Sequence, residues 1–371
     1  MIAMMPAFRL RLLLWGLLPM VLIVAASLWL LRPQPVAANL PPLLPAGPPP
    51  ADDRLRGVSW VAGDSASALD LEPLRRAHVT WIAQTPFGWQ PGAAVPEVRL
   101  NTGSNRHYWG ESDRGVLLTA QRARQQGIRT LLKPHLWLRN GGTWPGDINM
   151  TSAADWDAWF TSYSVFIMHY AWLAEAGHLE ALCIGTELEH ASGPAHEQQW
   201  RQLIRQIRAV YHGPLTYAAN WSGEFEQVRF WDALDFIGVQ AYFPLSTINS
   251  PNKEALLQAW QAPLRRLEAV QKRYRKPVVF TEIGYKTTPD AAIEPWAWPD
   301  RMAVLTTPDE ATQAACYAAM FETFWGRKWF KGLFVWKWYP GLQPDGSARR
   351  HLDFTPQHKP AERVMAEWYG K

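Results

Sequence analysis

Cysteine is scarce in this chain. Two residues, Cys183 and Cys316, among 371 exclude a disulfide scaffold and any cysteine-based zinc cluster. A strong charge of either sign is also missing. The net charge is +4, and Arg9, Arg11 and Arg32 supply three of those charges, so residues 51–371 come to +1. The pI near 9.0 therefore marks no nucleic-acid footprint, which needs a concentrated basic face. Serine-hydrolase elbows and Walker-type loops do not occur, and His196-Glu197 runs into Gln198-Gln199-Trp200 with no second histidine, so there is no zincin motif. No metal and no cofactor are expected. What is present is apolar bulk, 48% against 19% charged, enough for a large core. Tryptophan is in surplus at 22 residues, which suggests a surface on which flat, semi-apolar ligands stack.

The N-terminus reads as a membrane-insertion signal. Residues 12–31 form an uncharged apolar run of 20, long enough to cross a ~30 Å hydrocarbon layer as a helix. Pro19 is tolerable in such a helix. Arg9 and Arg11 precede the run and no acidic residue appears before Asp52, which orients the start toward the cytoplasm and exports the rest. Val36-Ala37-Ala38 offers a signal-peptidase site, but a cleaved signal usually has an apolar region of only ~7–15 residues, so the length favours a retained anchor. The expected organisation is a signal anchor or signal peptide over 1–32, a proline-rich linker over 33–50 and one catalytic domain over 51–371. The linker holds eight prolines and no charge, a stiff spacer. The expected location is the inner membrane facing the periplasm or exterior, or secretion if the signal is removed.

From Arg56 onward, short β-rich runs alternate with amphipathic stretches. Strands are predicted at 57–61, 79–85, 130–137, 181–186, 215–220, 236–241, 277–281 and 332–338. Helical patterns lie between them at 115–126, 153–176, 197–211, 253–274 and 309–325, and a last one spans 360–368. Eight strands alternating with helices predict an α/β fold of the (β/α)8, or TIM, barrel type. A doubly wound open sheet is the alternative, but it wants a glycine-rich turn after its first strand, and Gly57-Val58-Ser59-Trp60 is not one.

In such a barrel the strand C-termini form the active face. Two glutamates stand there, Glu187 after Ala181–Thr186 and Glu282 after Pro277–Thr281. An apolar barrel strand rarely carries a carboxylate without purpose. Alternation along each strand puts Cys183, Gly185 and Glu187 on one face, and Val278, Phe280 and Glu282 on one face. Three βα units separate the pair, so they should face each other over the barrel mouth, at a separation of ~5–5.5 Å if the chemistry is retaining glycoside hydrolysis. Glu189 rivals Glu187 but lies further past the strand, where capping the next helix or binding a sugar hydroxyl suits it better. The two cysteines read as small buried hydrophobes, and the sequons at Asn149 and Asn220 as coincidental.

Gly185-Thr186-Glu187 and Thr281-Glu282-Ile283-Gly284-Tyr285 resemble the two catalytic signatures of the clan of retaining barrel glycosidases. The pattern is most similar to glycoside hydrolase family 113, known for β-1,4-mannanases, and the resemblance extends to residues 236–244, 336–340 and 360–362. It implies Glu187 as general acid/base and Glu282 as nucleophile, with Tyr242 donating to Glu282. Thr186 departs from the clan, which has an asparagine there to contact the sugar 2-hydroxyl. Glu187 would then need an apolar pocket to hold its proton, and Glu282 would need donors to stay ionised. His135 would orient a hydroxyl or the nucleophile. Trp336 or Trp338 would form the platform under the reacting sugar, and Asn220 and Trp221 would line the cleft. Trp89, Trp109, Trp137, Trp144, Trp296 and Trp298 would supply further stacking positions. The partner expected is a β-linked polysaccharide or oligosaccharide, β-mannan first, cleaved in endo fashion. Another envelope glycan and a non-catalytic glycan-binding barrel are the alternatives.

Overall fold

The structure is a computed structural model, and it describes residues 52–65, 69–101, 109–139, 144–299, 307–343 and 352–371. The expected membrane segment over 1–32 and the linker over 33–50 lie outside the described residues. Among the described residues no helix is long and apolar enough to cross a membrane.

The described residues form ten strands: β1 (Leu55–Trp60), β2 (Trp81–Gln84), β3 (Phe87–Gln90), β4 (Arg129–Leu132), β5 (His135–Leu138), β6 (Ala181–Thr186), β7 (Leu215–Asn220), β8 (Ile237–Gln240), β9 (Val278–Ile283) and β10 (Phe330–Trp338). Eight of them close a parallel barrel in the order β1-β10-β9-β8-β7-β6-β4-β2. The predicted (β/α)8 barrel is the fold. The other two, β3 and β5, pair in parallel and prolong β2 and β4 past the rim. Pro86 and Pro134 mark the joints, because proline has no N–H for the ladder. The pairing nevertheless carries on through them: Lys133 N–H donates to Gln84 O (2.8 Å) and His135 N–H to Pro86 O (2.9 Å). The single run predicted over 130–137 is therefore two strands, the second standing above the barrel mouth.

The helices fall where their caps demand. Ser152 accepts from Asp155 N–H to start Ala153–Ala176, and Asp309 accepts from Thr312 N–H to start Glu310–Phe324. The helix expected over 253–274 breaks at Trp260 into Lys253–Ala259 and Gln261–Tyr274. Leu55, Trp81, Leu131, Cys183, Phe236, Val279 and Phe334 fill the barrel interior with smaller neighbours, and the larger apolar cluster packs strands against helices. Among the described residues eight tryptophans, Trp159, Trp200 and Trp260 included, are buried, so core packing absorbs much of the surplus. Both cysteines are buried, and burial pushes the Cys183 thiol up to about 11.

Candidate active site

The alternation predicted for the two glutamate-bearing strands does not hold. In β9, Val278 and Phe280 belong to the outer core and Val279 to the barrel interior, so a regular strand would turn Glu282 outward against the helices. An extra residue intervenes. Phe280 pairs with Val239 but Glu282 pairs with Gln240, two steps against one, and this bulge turns Glu282 inward. In β6, Cys183 pairs with Thr216 and Thr186 with Ala218, three steps against two. A side chain on Gly185 would strike Tyr217 and Trp200 in the outer core, so that position faces outward and must stay bare. Thr186 then turns inward, its Oγ1 4.0 Å from Cys183 Sγ. Glu187 follows with φ of 52°, left-handed backbone that swings its carboxyl back over the mouth. Both glutamates reach the cleft because the pleat is broken, not because it is kept.

Their surroundings differ sharply. Glu187 is partly exposed. Its Oε1 accepts from Asn220 Nδ2 (2.6 Å) and its Oε2 from Trp144 Nε1 (2.9 Å). Burial of the carboxyl raises its pKa to about 7, helped by the charge of Glu282 and opposed by the two hydrogen bonds and by Lys133. Glu282 is 4% exposed. Its Oε2 accepts from the Tyr242 hydroxyl (2.8 Å) and its Oε1 from the ammonium of Lys133. Burial pushes the Glu282 pKa up, but Lys133, His135 and its hydrogen bonds outweigh burial and hold it below the ordinary value. Burial and the same carboxylate drive the Tyr242 hydroxyl far above its usual range, so it stays a donor.

Lys133 is the residue that sequence reasoning missed. It is fully buried and also donates to the Thr281 carbonyl O (3.2 Å) and to Gln240 Oε1 (3.5 Å). β4 and β9 sit across the barrel from each other, so its long stem spans the interior to reach Glu282. A signal was available: two residues on from interior Leu131, a regular strand points Lys133 inward. His135, at the start of β5, holds Nε2 at 3.6 Å from Glu282 Oε1, outside hydrogen-bond range, and that nitrogen is buried with no partner. Burial and neighbouring Lys133 depress its pKa to about 3, so the ring is neutral in the working range.

One cleft thus holds a carboxyl that keeps its proton near neutrality and a carboxylate that stays ionised, the division of labour that glycosidic-bond cleavage requires. Among the described residues no three His, Cys, Asp or Glu side chains cluster as a metal centre. The sequence profile of Glycoside Hydrolase Family 113 matches residues 59–368. The chain belongs to glycoside hydrolase family 113. Solved structures agree. A GH113 β-1,4-mannanase complex is 29% identical, with a TM-score of 0.72 over 86% of this chain and 100% of that one. The GH113 β-mannanase AaManA from Alicyclobacillus acidocaldarius, in complex with ManMIm, is 28% identical with a TM-score of 0.72, over 86% of this chain and 98% of that one. A Ruminococcus gnavus β-glucuronidase, 13% identical with a TM-score of 0.57 over 85% of this chain and 50% of that one, shares the fold alone. No curated protein matches the chain in sequence.

The remaining residues of this glycoside hydrolase divide into those that reach the cleft and those that do not. Trp338, expected as an alternative platform, is 1% exposed and packs in the outer core. The reason is again register: β10 takes three steps from Val335 to Trp338 while β1 takes two from Val58 to Trp60, which reverses the face. Trp336 keeps exposed surface, and the peptide after it is cis. Trp221 is covered by Trp296, which stacks on it at 5.0 Å and is itself 43% exposed, so the open aromatic face there belongs to Trp296. Trp137 on β5 is 61% exposed and Trp298 is 52% exposed. Trp89 carries the guanidinium groups of Arg99 and Arg139 over its ring (4.6 and 3.9 Å) and is a packing residue. Trp109 sits in the short 3-10 turn Trp109–Glu111. Glu189 does not cap the next helix, whose N-cap is His196 without a side-chain bond.

Proposed function

We propose that this enzyme is a retaining endo-β-1,4-mannanase. Glu187 donates its proton to the glycosidic oxygen while the Glu282 carboxylate attacks the anomeric carbon. In the second half Glu187 takes a proton from the water that releases the glycosyl-enzyme ester. Lys133 and Tyr242 hold the nucleophile ionised and aimed. The observation that carries this reading is the opposed charging of the two glutamates, one raised to about 7 and the other held below its ordinary value. Endo action is supported by exposed Trp137, reached through β4, and exposed Trp296, on Trp221 after β7: these strands flank β6 on its two sides, so stacking faces extend beyond the reacting bond both ways. Mannan is favoured by the β-1,4-mannanase structures that the chain resembles.

A second reading, another β-linked envelope glycan, is favoured by Thr186, whose hydroxyl turns to Cys183 and whose side chain is buried, in place of the asparagine that the resemblance leads one to expect. We also infer export with retention on the membrane by residues 12–31, from the length of that apolar run. The test is to incubate the detergent-solubilised full chain with β-mannan, β-glucan and xylan and to follow product anomers by NMR. The expected result is a ladder of mannan fragments released first as the β-anomer. First release of the α-anomer overturns double displacement, and cleavage of glucan or xylan alone moves the assignment to the second reading.

A further inference from the structure

A second carboxyl lies behind Glu187 and belongs to none of the roles above. Glu224 sits four residues past the end of β7, beyond the turn that Gly223 makes with φ of 139°, and it is fully buried. No cation pairs with it among its hydrogen-bond partners, which are all neutral. Its Oε2 accepts from the Asn220 backbone N–H (2.6 Å), and its Oε1 accepts from Ser192 Oγ (2.7 Å) and from the Tyr217 hydroxyl. Ser192 and Tyr217 are as thoroughly buried as the carboxyl. An ionisable group placed in such a site at the expense of its hydration needs a reason.

The partners supply one, because each leads to Glu187. Asn220 is gripped by its backbone N–H, and its side chain is the donor to Glu187 Oε1 (2.6 Å). The Asn220 side chain is further fixed by accepting from Ser222 N–H at Oδ1 (2.8 Å). The Tyr217 hydroxyl, while donating to Glu224, accepts from Leu188 N–H (2.8 Å), the peptide directly after Glu187. Ser192 belongs to the same turn that leaves Glu187, its own N–H bonded to Leu188 O (2.7 Å). One buried carboxyl thus ties the strand that holds Glu187's donor to the loop that carries Glu187 itself, at the point where the backbone is left-handed.

We propose that Glu224 is a positioning residue for Glu187, fixing the acid/base carboxyl against the leaving oxygen by clamping Asn220 and, through Tyr217, Leu188. It touches no substrate and acts only through these two residues. The electrostatics agree: burial raises Glu224 to about 7, and the charge of Glu187 adds to that rise, so the two carboxyls sense each other.

The inference rests on Glu187 being the proton donor, and the experiment separates the two claims. Protonation matters for a poor leaving group and little for a good one. Hydrolysis of β-mannan is compared with that of 2,4-dinitrophenyl β-mannobioside, whose leaving group needs no proton, in the wild-type full chain and in E187A, E224Q and Y217F. For E224Q and Y217F we expect kcat/KM, which reads the glycosylation step that Glu187 serves as acid, to fall ~10²-fold on mannan, the scale of a displaced catalytic group, with kcat/KM on the dinitrophenyl substrate within ~3-fold of wild type. E187A should show the same split, larger. A split in E187A with equal losses on both substrates in E224Q and Y217F overturns the positioning role and leaves the acid assignment intact. No split in E187A overturns the acid assignment itself. Y217F removes one hydroxyl and leaves the carboxyl in place, so it reports even if E224Q folds poorly, and retention of full mannanase activity by both variants also refutes the proposal.

Discussion

Glu187, just past the end of β6, and Glu282, on β9, are introduced by nearly the same local sequence, an apolar run followed by Thr-Glu, and each is delivered by a bulge. They end in opposite electrical states. Glu187 meets two neutral donors, Asn220 and Trp144, and keeps a high pKa; Glu282 meets an ammonium and a phenol and keeps a low one. The difference therefore lies not in the strands that carry them but in what other strands bring across the barrel. Lys133 contributes most to it, because its positive charge, together with its hydrogen bond, His135 and Gln240, offsets the burial that alone would raise both acids.

The comparison can be broken most severely at Glu282, the proposed nucleophile. E282A should lose kcat by on the order of 10⁴-fold or more, with azide partly restoring turnover as a glycosyl azide while E187A responds to azide differently, at the deglycosylation step. Next in size is K133M, which strips the counter-charge from a buried carboxylate and should destabilise the fold by ~3–5 kcal/mol at neutral pH, read by denaturant unfolding. Here the sign matters. A glutamate whose folded pKa is depressed stabilises the fold above its unfolded value and loses that contribution as pH falls through the folded one. The gap between wild type and K133M should thus be full near neutrality and shrink below about pH 4.5, the ordinary value from which Glu282 is lowered.

Smaller effects sharpen the contrast. The kcat/KM profile should be bell-shaped, with a basic limb near 7 as Glu187 loses its proton and an acidic limb below 4.5 as Glu282 gains one. W144F removes a hydrogen bond that favours ionised Glu187, so the basic limb should move to higher pH while the acidic limb stays. Smallest for catalysis, W338F should leave KM and kcat near wild type and lower Tm, whereas W336A should raise KM with little change in Tm.

Much of this was legible in the order of residues. Runs such as Val278–Phe280 and Leu182–Ile184 are apolar and bounded by turns, and Ser152 and Asp309 announce their helices, so the barrel follows from local chemistry. The two glutamates were legible too, but by the wrong geometry, since alternation cannot foresee a bulge whose cause is register against a neighbouring strand. Trp338 was misread for that same reason. Lys133 lay within reach of the period-two pattern, whereas Trp144 reaches Glu187 from a loop and Glu224, at the start of the short helix Glu224–Gln227, reaches Glu187's donor Asn220, both by tertiary contact that no spacing along the chain encodes.

The opposed charging of the two acids is open to direct measurement. Carbon-detected NMR titration of the protein carrying glutamate labelled at the side-chain carboxyl, with resonances assigned through E187Q, E282Q and E224Q, reads each group separately. Glu187 should titrate near 7 and Glu282 below 4.5. Titration of both near 4.5, or a Glu282 that gains its proton at higher pH than Glu187, would contradict the account.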